Sequence, residues 1–401
     1  MIRKLFDSQQ ARQGVGIASR THVRRWFSTL HRWLGFACGA ILVVAGLTGA
    51  LLAFYMELDG SLNPSLRTLL KGARPSSYEA VYKVLTRLPV TSSGYWKMEI
   101  PPAGGPITTR YYAESAGSDM RRTRMVSVDP VSLRVLRDAY WRETFFTWLY
   151  DLHMNLLLGP SGKIAMGIVS LLVVAMLIAG MMTWVVPGGT LRSKLLVKRN
   201  AALPRRLYDL HKISGLITLP VLLLSMLTAA IICLPNQSRP LLAMLGPLTP
   251  TPDVASRPVP GGKRISTDQA LLIGMRRFPG AAVVWIRIPR LPTDAYDLQM
   301  RRAGAPMTRF PRTHVWLDQY SGAVLAIHDP HTDGAGDTVL NWVQPLHDGK
   351  AFGIVGRIVV MLVGFAPALL FVTGIMRWSG KRAARRTALV HRARRRGSDA
   401  R

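Results

Sequence analysis

The chain has 401 residues, and 52 Lys and Arg against 22 Asp and Glu give it a formal net charge of +30. Hydrophobic residues make up 49% of the sequence and charged residues only 18%, which argues against a disordered or fibrous chain. A charge of +30 is compatible with nucleic-acid binding or with a membrane protein whose loops are basic. The positions of the charges decide between these two classes.

Four long runs of the sequence contain no charged residue and are strongly apolar. A helix needs about 20 apolar residues to cross the hydrocarbon core of a membrane, and each run is about that long or longer. The sequence therefore predicts four transmembrane helices, within residues 33–56, 164–191, 213–238 and 358–376.

The basic residues predict the orientation of these helices. Residues 1–32, 188–212 and 377–401 together hold 24 Lys and Arg but only 3 acidic residues, so they carry +21 of the +30. The positive-inside rule places both termini and the 188–212 loop in the cytoplasm, with 57–163 and 236–357 outside. These basic residues flank apolar helices and form no nucleic-acid-binding motif, so we expect contact with anionic lipid and none with nucleic acid.

The predicted topology divides the chain into nine segments. The cytoplasmic segments are too short to form a domain with a core of their own, so no flavin or nicotinamide domain is expected there. In chain order the segments are a basic N-terminus (1–32), a first transmembrane helix (33–56), an outer α+β domain (57–142), an outer-face helix with the second transmembrane helix (143–187), a cytoplasmic loop (188–212), a third transmembrane helix (213–235), a second outer α+β domain (236–345), an outer-face segment with the fourth transmembrane helix (346–378) and a basic tail (379–401).

The two halves of the chain resemble each other, which predicts a tandem duplication. Leu-His-Arg at 30–32 matches Leu-His-Lys at 210–212, and a glycine follows each histidine by four residues. In the second and fourth helices, His153 and His347 each precede a Gly-Lys or Gly-Arg pair at the same distance. The same spacing then continues to a later glycine and a later tryptophan in each half, namely Gly180 with Gly374 and Trp184 with Trp378.

The outer segments share a pattern of one helix followed by strands. Residues 76–85 and 266–275 each read as a capped helix, and Ser266 with Gln269 fits a capping box. A strand is expected at 95–100 and at 282–288, and a strand, a turn around an Asp and a second strand at 125–136 and 314–325. The fold class predicted is therefore an α-helical membrane protein with four transmembrane helices and two small α+β outer domains.

Several of these motifs resemble the PepSY-associated transmembrane family. They are Leu-His-Arg-Trp-Leu-Gly at 30–35, Leu-Thr-Gly-Ala at 47–50, Leu-His at 152–153 with Gly-Lys at 162–163, and Ile-Ser-Thr-Asp-Gln-Ala-Leu at 265–271. The resemblance implies PepSY-like periplasmic domains and a location in a bacterial inner membrane. Some members are ferric-siderophore reductases that bind b-type haem through histidines of the helical bundle, which implies haem b as cofactor and a ferric siderophore as substrate.

Four histidines form two pairs once the topology is applied. His31 and His211 lie near the cytoplasmic face, and His153 and His347 lie near the outer face. Ionisable groups at membrane depth are costly and are usually functional or paired. Two histidines on facing helices at one depth suit the axial ligation of a haem, so two haems are predicted. A structural or interfacial role of the four histidines remains the alternative.

Weaker candidates surround these pairs. Haem propionates could be neutralised by Arg32, Lys212, Lys163 and Arg357, although basic side chains at such positions also extend to the lipid interface without a ligand. Two further pairs could lie beside a substrate, although a polar turn for the histidines and an interfacial aromatic belt for the tryptophans are the simpler interpretations. These pairs are His328 with His331 and Trp148 with Trp342.

Two functions follow as hypotheses from the sequence. The first is a haem-containing inner-membrane oxidoreductase that passes electrons to a ferric siderophore and releases Fe(II) in the periplasm. Its separate electron donor would be a quinol or a cytosolic flavoprotein. The second is a non-enzymatic PepSY protein that binds or regulates a periplasmic partner. No catalytic triad, phosphate-binding loop or Cys-rich metal motif indicates another enzyme class.

Overall fold

The computed structural model describes residues 2–66, 73–90, 93–114, 120–185 and 201–398. The part of the predicted cytoplasmic loop at 188–200 lies outside these residues. The chain divides into two compact units. The helical unit comprises Met1–Ala50, Gly167–Ala230 and Val359–Arg401, and the sheet unit comprises Leu51–Met166 and Ile231–Ile358.

Four helical segments are long and apolar enough to cross a membrane, as the sequence predicts. Their helices begin before the predicted spans, and the fourth also continues past its span, because the flanking segments are rich in Arg and Lys, which favour helix. The basic segments 2–32, 203–212 and 379–398, predicted as termini and loop, are therefore helical. The helices are α1 (Ile2–Leu52), α2 (Tyr55–Leu62), α3 (Tyr78–Thr86), α4 (Phe145–Asn155), α5 (Gly159–Val185), α6 (Leu203–Cys233), α7 (Pro235–Ala243), α8 (Thr267–Arg277), α9 (Ala335–His347), α10 (Gly353–Gly364) and α11 (Ala366–Ser398).

The fourth apolar segment consists of two helices, α10 and α11, separated at Phe365. Pro367 in the first turn of α11 has no N–H to donate, and its ring clashes with the carbonyl four residues earlier, which interrupts the helix. Gly364 packs closely against α1, since a Cβ there would lie 2.7 Å from the carbonyl oxygen of Gly46. Small residues on α1 allow this close approach, since a Cβ on Gly39 would likewise overlap the ring of Phe371 on α11.

The helices of the helical unit enclose an apolar core. Its buried members come from α1, α5 and α6 and include Leu42, Val173 and Leu222. Cys38 belongs to this core, and Cys233 is buried in the sheet unit. Both cysteines are unpaired and pack as small buried residues.

The sheet unit contains eight antiparallel strands in one continuous sheet, in the order β4-β3-β2-β1-β5-β6-β7-β8. The sequence predicts two separate α+β domains, but β1 pairs with β5 and joins the two sets of four strands. This pairing satisfies the backbone hydrogen-bonding groups of two strands that would otherwise be exposed sheet edges. The strands are β1 (Gly94–Glu99), β2 (Ile107–Ala113), β3 (Arg124–Val128), β4 (Val135–Tyr140), β5 (Ala282–Ile288), β6 (Ala295–Arg301), β7 (Thr313–Asp318) and β8 (Val324–His328).

Helices α3 and α8 pack together with one face of this sheet around a buried apolar core. The predicted capping box of Ser266 and Gln269 is present at the start of α8. Each of these two helices also supplies a carboxylate that accepts a backbone N–H at the N-terminus of the other. Asp268 of α8 accepts the backbone N–H of Tyr78 at 2.8 Å, and Glu79 of α3 accepts that of Thr267 at 2.9 Å. Because a carboxylate is favourable at a helix N-terminus, this exchange stabilises the junction of the two halves of the sheet.

Candidate functional site

The first predicted histidine pair comes together inside the helical unit. His31 on α1 and His211 on α6 have ring centroids 6.2 Å apart. His31 is the thirtieth residue of its helix and His211 the ninth. Both therefore lie well inside their helices. The rigid helical backbone on both sides fixes the positions of the two imidazoles.

Each imidazole of this pair uses its Nδ1 atom to bond a neighbouring helix. His31 Nδ1 lies 2.9 Å from the backbone oxygen of Met176, and His211 Nδ1 lies 2.9 Å from Oγ1 of Thr373. A carbonyl oxygen only accepts, and the Thr373 hydroxyl already donates to Leu369 O at 2.7 Å. Both Nδ1 atoms are therefore the donors, which leaves Nε2 of each ring as the lone-pair nitrogen able to bind a metal.

A glycine lies beside each imidazole. A Cβ on Gly180 would come within 2.9 Å of His31 Nδ1, and one on Gly374 would lie 3.6 Å from His211 Cε1. The first position has no room for a larger residue, and the second would allow ordinary van der Waals contact. These two glycines occupy matching places in the two halves of the sequence.

Arg377 on α11 is the cation whose charge acts on both imidazoles of this pair. Its guanidinium also lies over the ring of Tyr208, 4.7 Å from the centroid. Of the two residues predicted to neutralise a propionate here, Lys212 is bonded to the buried carboxylate of Asp209 at 3.1 Å. Arg32 is exposed. Arg377 is the better-placed residue for that role.

The second predicted pair comes together inside the sheet unit. His153 and His347 have ring centroids 6.2 Å apart, the same separation as in the first pair. His153 lies in the last turn of α4, and His347 is the last residue of α9. The two histidines therefore end short separate helices that precede the apolar segments.

The turn after His153 is held by a buried ion pair. Asp151 on α4 accepts hydrogen bonds from Trp141 Nε1 at 2.9 Å and from Arg142 Nε at 2.6 Å. Arg142 also donates to the carbonyl oxygen of Leu157, 2.9 Å away, in the turn that follows α4. Leu157 has a left-handed backbone with φ of 63°, which is unfavourable for a leucine and persists only where its surroundings enforce it.

Matching glycines also start the helices after the second pair. A Cβ on Gly162 would overlap the carbonyl oxygen of Asn155, and a Cβ on Gly356 would overlap that of Gly349. The side-chain Oδ1 of Asn155 is buried without a hydrogen-bond partner among the described residues.

Both pairs fit the axial ligation of a haem. An imidazole nitrogen binds a transition metal at about 2 Å, so two rings that hold one iron from opposite sides have centroids about 6 Å apart. Among the described residues, no three His, Cys, Asp or Glu side chains come together to hold a bare metal ion. Each pair supplies two ligands, which suits an iron whose other four ligands are the nitrogens of a porphyrin.

The two remaining propionate candidates differ in their surroundings. Arg357 donates to Glu57 at 2.7 Å and to the carbonyl oxygen of Ala53 at 2.9 Å, so its charge is already paired with a carboxylate. Lys163 is half-buried close to Cys233 and has no ion-pair partner among the described residues. Lys163 is therefore the more available cation near the second pair.

The weaker substrate-side candidates do not gather at one place. His328 Nε2 bonds Asp333 at 2.8 Å, and the exposed His331 bonds Asp329 at 3.0 Å, which supports the polar-turn interpretation. Trp148 on α4 and Trp342 on α9 are both substantially exposed. Exposed tryptophans on the helices that precede apolar segments fit the interfacial-belt interpretation.

Sequence reasoning missed the role of four residues that surround the first pair. Gly180 and Gly374 were visible as equal spacings, but only the structure shows that they face the imidazoles. Thr373 has no counterpart signal in the first half, and Arg377 is one of ten basic residues in its segment. A polar residue directly before the repeated Gly374 is the signal that could have identified Thr373.

The sequence profile of the PepSY-associated TM region matches residues 28–381. The chain therefore belongs to the PepSY-associated transmembrane family, which confirms the resemblance noted in its motifs. It is a membrane protein with four apolar helices. No curated protein matches the sequence.

Proposed function

We propose that this protein is a haem-containing oxidoreductase of a bacterial inner membrane that passes electrons across the membrane to a ferric siderophore in the periplasm. The observation that supports it most directly is the equal 6.2 Å separation of the two histidine pairs. Fe(II) is bound more weakly than Fe(III) by a hydroxamate-type chelator, so reduction would release the metal for uptake. A quinol or a cytosolic flavoprotein would be the separate donor.

The proposed cofactor is haem b, two per chain. A haem with two histidine ligands has no open coordination position, so it exchanges single electrons and does not bind oxygen. His31 and His211 would hold one haem through Nε2, while Met176 and Thr373 fix their Nδ1–H tautomers. His153 and His347 would hold the other, with the turn after α4 fixed by Asp151 and Arg142.

The proposed orientation has both termini in the cytoplasm. The charge distribution supports it, since the three strongly basic segments flank the apolar helices on one predicted side. The proposed origin is a tandem duplication. It is supported by the repeated order of one helix and four strands, and by the matching glycines in the first turns of α5 and α10 and beside His31 and His211.

An optical experiment tests this function. The full chain purified in detergent should show a reducible b-type haem spectrum, with about two haems per chain by pyridine haemochromogen assay. His31→Ala with His211→Ala should remove one haem, and His153→Ala with His347→Ala the other. His331→Ala is the matched control, because that imidazole is exposed, and it should retain both haems.

Two results would contradict the proposal. One is the absence of haem from a well-folded preparation, and the other is retention of both haems after His153→Ala with His211→Ala. Either would favour the non-enzymatic function, in which the sheet unit binds a periplasmic partner and the histidines are structural.

A further inference from the structure

One face of the eight-stranded sheet bears a row of three cations. This face points away from α3 and α8, because its residues alternate with those of the apolar core. Arg110 on β2 lies directly opposite Lys97 on β1, and Lys97 lies directly opposite Arg287 on β5. Like charges directly opposite each other destabilise a sheet, so a row of three requires a compensating partner.

The neighbouring carboxylates supply only part of that partner: Asp294 makes one long ion pair with Arg287, at 3.8 Å. Asp297 follows Arg287 in the same row, but its Oδ1 bonds His314 Nδ1 at 2.7 Å. Glu99 forms two hydrogen bonds with Arg309, at 2.9 and 2.8 Å. Burial raises the pKa of Glu99 to about 7, and the charge of Arg110 opposes this. The row therefore has more positive than negative charge around it.

Aromatic rings surround Arg110 without satisfying its donors. Its guanidinium carbon lies 5.0 Å from the Trp285 ring centroid, 5.6 Å from that of Phe310 and 5.8 Å from that of Trp141. Such rings stabilise the charge through their faces, but the N–H donors of a guanidinium lie in its own plane. The rings explain why the charge of Arg110 is tolerated, but they do not accept its in-plane N–H donors.

The structure contains orphaned donors at both ends of the row. The Nε atoms of Arg110 and Arg287 are buried without a hydrogen-bond partner in the described part of the chain. Neither Lys97 nor Arg110 has a carboxylate within ion-pair distance among the described residues. Buried donors without acceptors are rare in folded proteins, so these two atoms require an explanation. An oxyanion satisfies both the charge and the donors.

We propose that the row of Arg110, Lys97 and Arg287 binds a carboxylate or similar oxyanion of a ligand that lies against this face of the sheet. The site is next to the second histidine pair within the sheet unit. Trp141, over which Arg110 stacks, contacts Tyr150 of α4 with centroids 5.5 Å apart, and Tyr150 lies one turn before His153. The anion is a propionate of the haem held there or belongs to a free anionic iron chelate. Only this choice of source rests on the proposed function.

Citrate is the probe for a free anion. The full chain in nanodiscs would be titrated with citrate by calorimetry and by the fluorescence of its tryptophans, two of which lie at the row. Lys97→Met and Arg110→Gln should each weaken citrate binding by about tenfold or more, since each removes a charge-assisted hydrogen bond. Arg276→Gln makes the same charge change at an exposed position on α8 and should leave the affinity within about twofold.

The haem arm uses the background of His31→Ala with His211→Ala, in which only the second pair can hold haem. If the anion is a propionate, Lys97→Met and Arg110→Gln will lower haem occupancy there, wild-type protein will not bind citrate, and Arg276→Gln will change nothing. Arg110→Lys, which retains the charge, replaces Arg110→Gln if that variant does not fold. Elution volume and melting temperature check the folding of every variant.

The two arms separate the failure of this site from the failure of the proposed function. A protein without haem that binds citrate through Lys97 and Arg110 keeps the anion site and loses the reductase. Well-folded variants with unchanged citrate affinity and unchanged haem occupancy overturn the anion site, whatever the haem content. The same conclusion follows if wild-type protein binds no citrate and haem occupancy at the second pair is unchanged by Lys97→Met, Arg110→Gln and Arg276→Gln.

Discussion

The imidazole of His31 lies so close to Gly180 that a Cβ there would approach its Nδ1 to 2.9 Å. The same nitrogen bonds the carbonyl oxygen of Met176, four residues earlier on α5. The His31 ring therefore packs against Gly180 and bonds a backbone carbonyl one helical turn away, and these two contacts are called its seat. At the matching position in the other half, Gly374 leaves 3.6 Å to His211 Cε1, so the two seats differ in tightness.

Identical substitutions at the two glycines should have different effects. Gly180→Ala should displace His31 and lower haem content at the first pair, because its methyl group overlaps a ring held by two helices. Gly374→Ala introduces only ordinary contact and gains helix propensity of up to about 1 kcal/mol, so it should preserve haem and stability. Haem content and melting temperature, measured side by side, check this. Equal effects of the two variants would show that the seats are not different.

Thr373 should tune the reduction potential of the haem proposed at the first pair. Its hydroxyl accepts from His211 Nδ1 at 2.9 Å, and an acceptor at Nδ1 strengthens the ligand and favours Fe(III). Thr373→Val removes a hydrogen bond worth about 1 kcal/mol, so the midpoint potential should rise by about 40 mV for one electron. Potentiometric titration measures this shift. Thr218→Val is the control, since Thr218 bonds only its own helix, at Ser214 O. A fall in potential, or equal shifts, would contradict this role.

Arg377 should shift the same potential in the opposite direction. Its positive charge acts on both His31 and His211 and so disfavours the ferric form, which carries one more positive charge than the ferrous form. Arg377→Gln should lower the midpoint potential, with a larger effect at low ionic strength. Arg382→Gln on the same helix is the matched control, because Arg382 stacks on Trp378. Unchanged potentials in Arg377→Gln would rule out this electrostatic role.

The sequence predicted those parts of the fold that depend on local pattern. The four spans follow from uncharged length, and the capping box at Ser266 follows from residues three apart. The histidine pairing could be predicted because the repeat placed the histidines at matching positions. The short strands β2 and β6 were missed. In β2 the neighbouring threonines and tyrosines hide the alternation that marks a half-buried strand, whereas β6 shows that alternation from Tyr296 to Arg301 and was overlooked.

Long-range pairing could not be predicted in this way. The join of β1 to β5 connects residues almost 190 positions apart, and nothing local in either strand specifies its neighbour. The cation row depends on this register, since Lys97 and Arg287 become neighbours only across the join. The helical extension of the basic segments was also missed, because counting uncharged residues detects the membrane-crossing part of a helix and nothing beyond it.

Asp151 should be essential for the second pair. It is buried, 2% exposed, and accepts from both Trp141 and Arg142. Asp151→Asn removes the charge that Arg142 faces, at a cost of about 2 kcal/mol, and releases the turn after α4. We expect a lower melting temperature and, with His31→Ala and His211→Ala present, less haem at the second pair. Asp253→Asn, at an exposed carboxylate, should change neither quantity. Loss of stability with full haem occupancy would show that the ion pair does not position His153.

Lys97 should make stability depend on pH in the alkaline range. Burial, together with the charges of Arg110 and Arg287, lowers the pKa of Lys97 to about 8, and Asp297 opposes this only in part. Below pH 8 both the folded and the unfolded chain hold the proton, and the cost of burying the charge is fully present. Between about 8 and the ordinary lysine value the unfolded chain binds more protons, so the free energy of unfolding should rise with pH.

Lys97→Met isolates this contribution from the other groups that titrate at high pH. Below pH 8 the variant should melt at a higher temperature than the wild type, and the difference should shrink as the pH rises towards the ordinary lysine value. Lys83→Met, on a surface lysine of α3 with no carboxylate in ion-pair distance among the described residues, is the control and should give a difference that does not vary with pH. Melting curves in citrate-free buffer are required, because an anion bound to the row would restore the lysine pKa. A constant difference between wild type and Lys97→Met across this range would show that the Lys97 ammonium is not desolvated at the row.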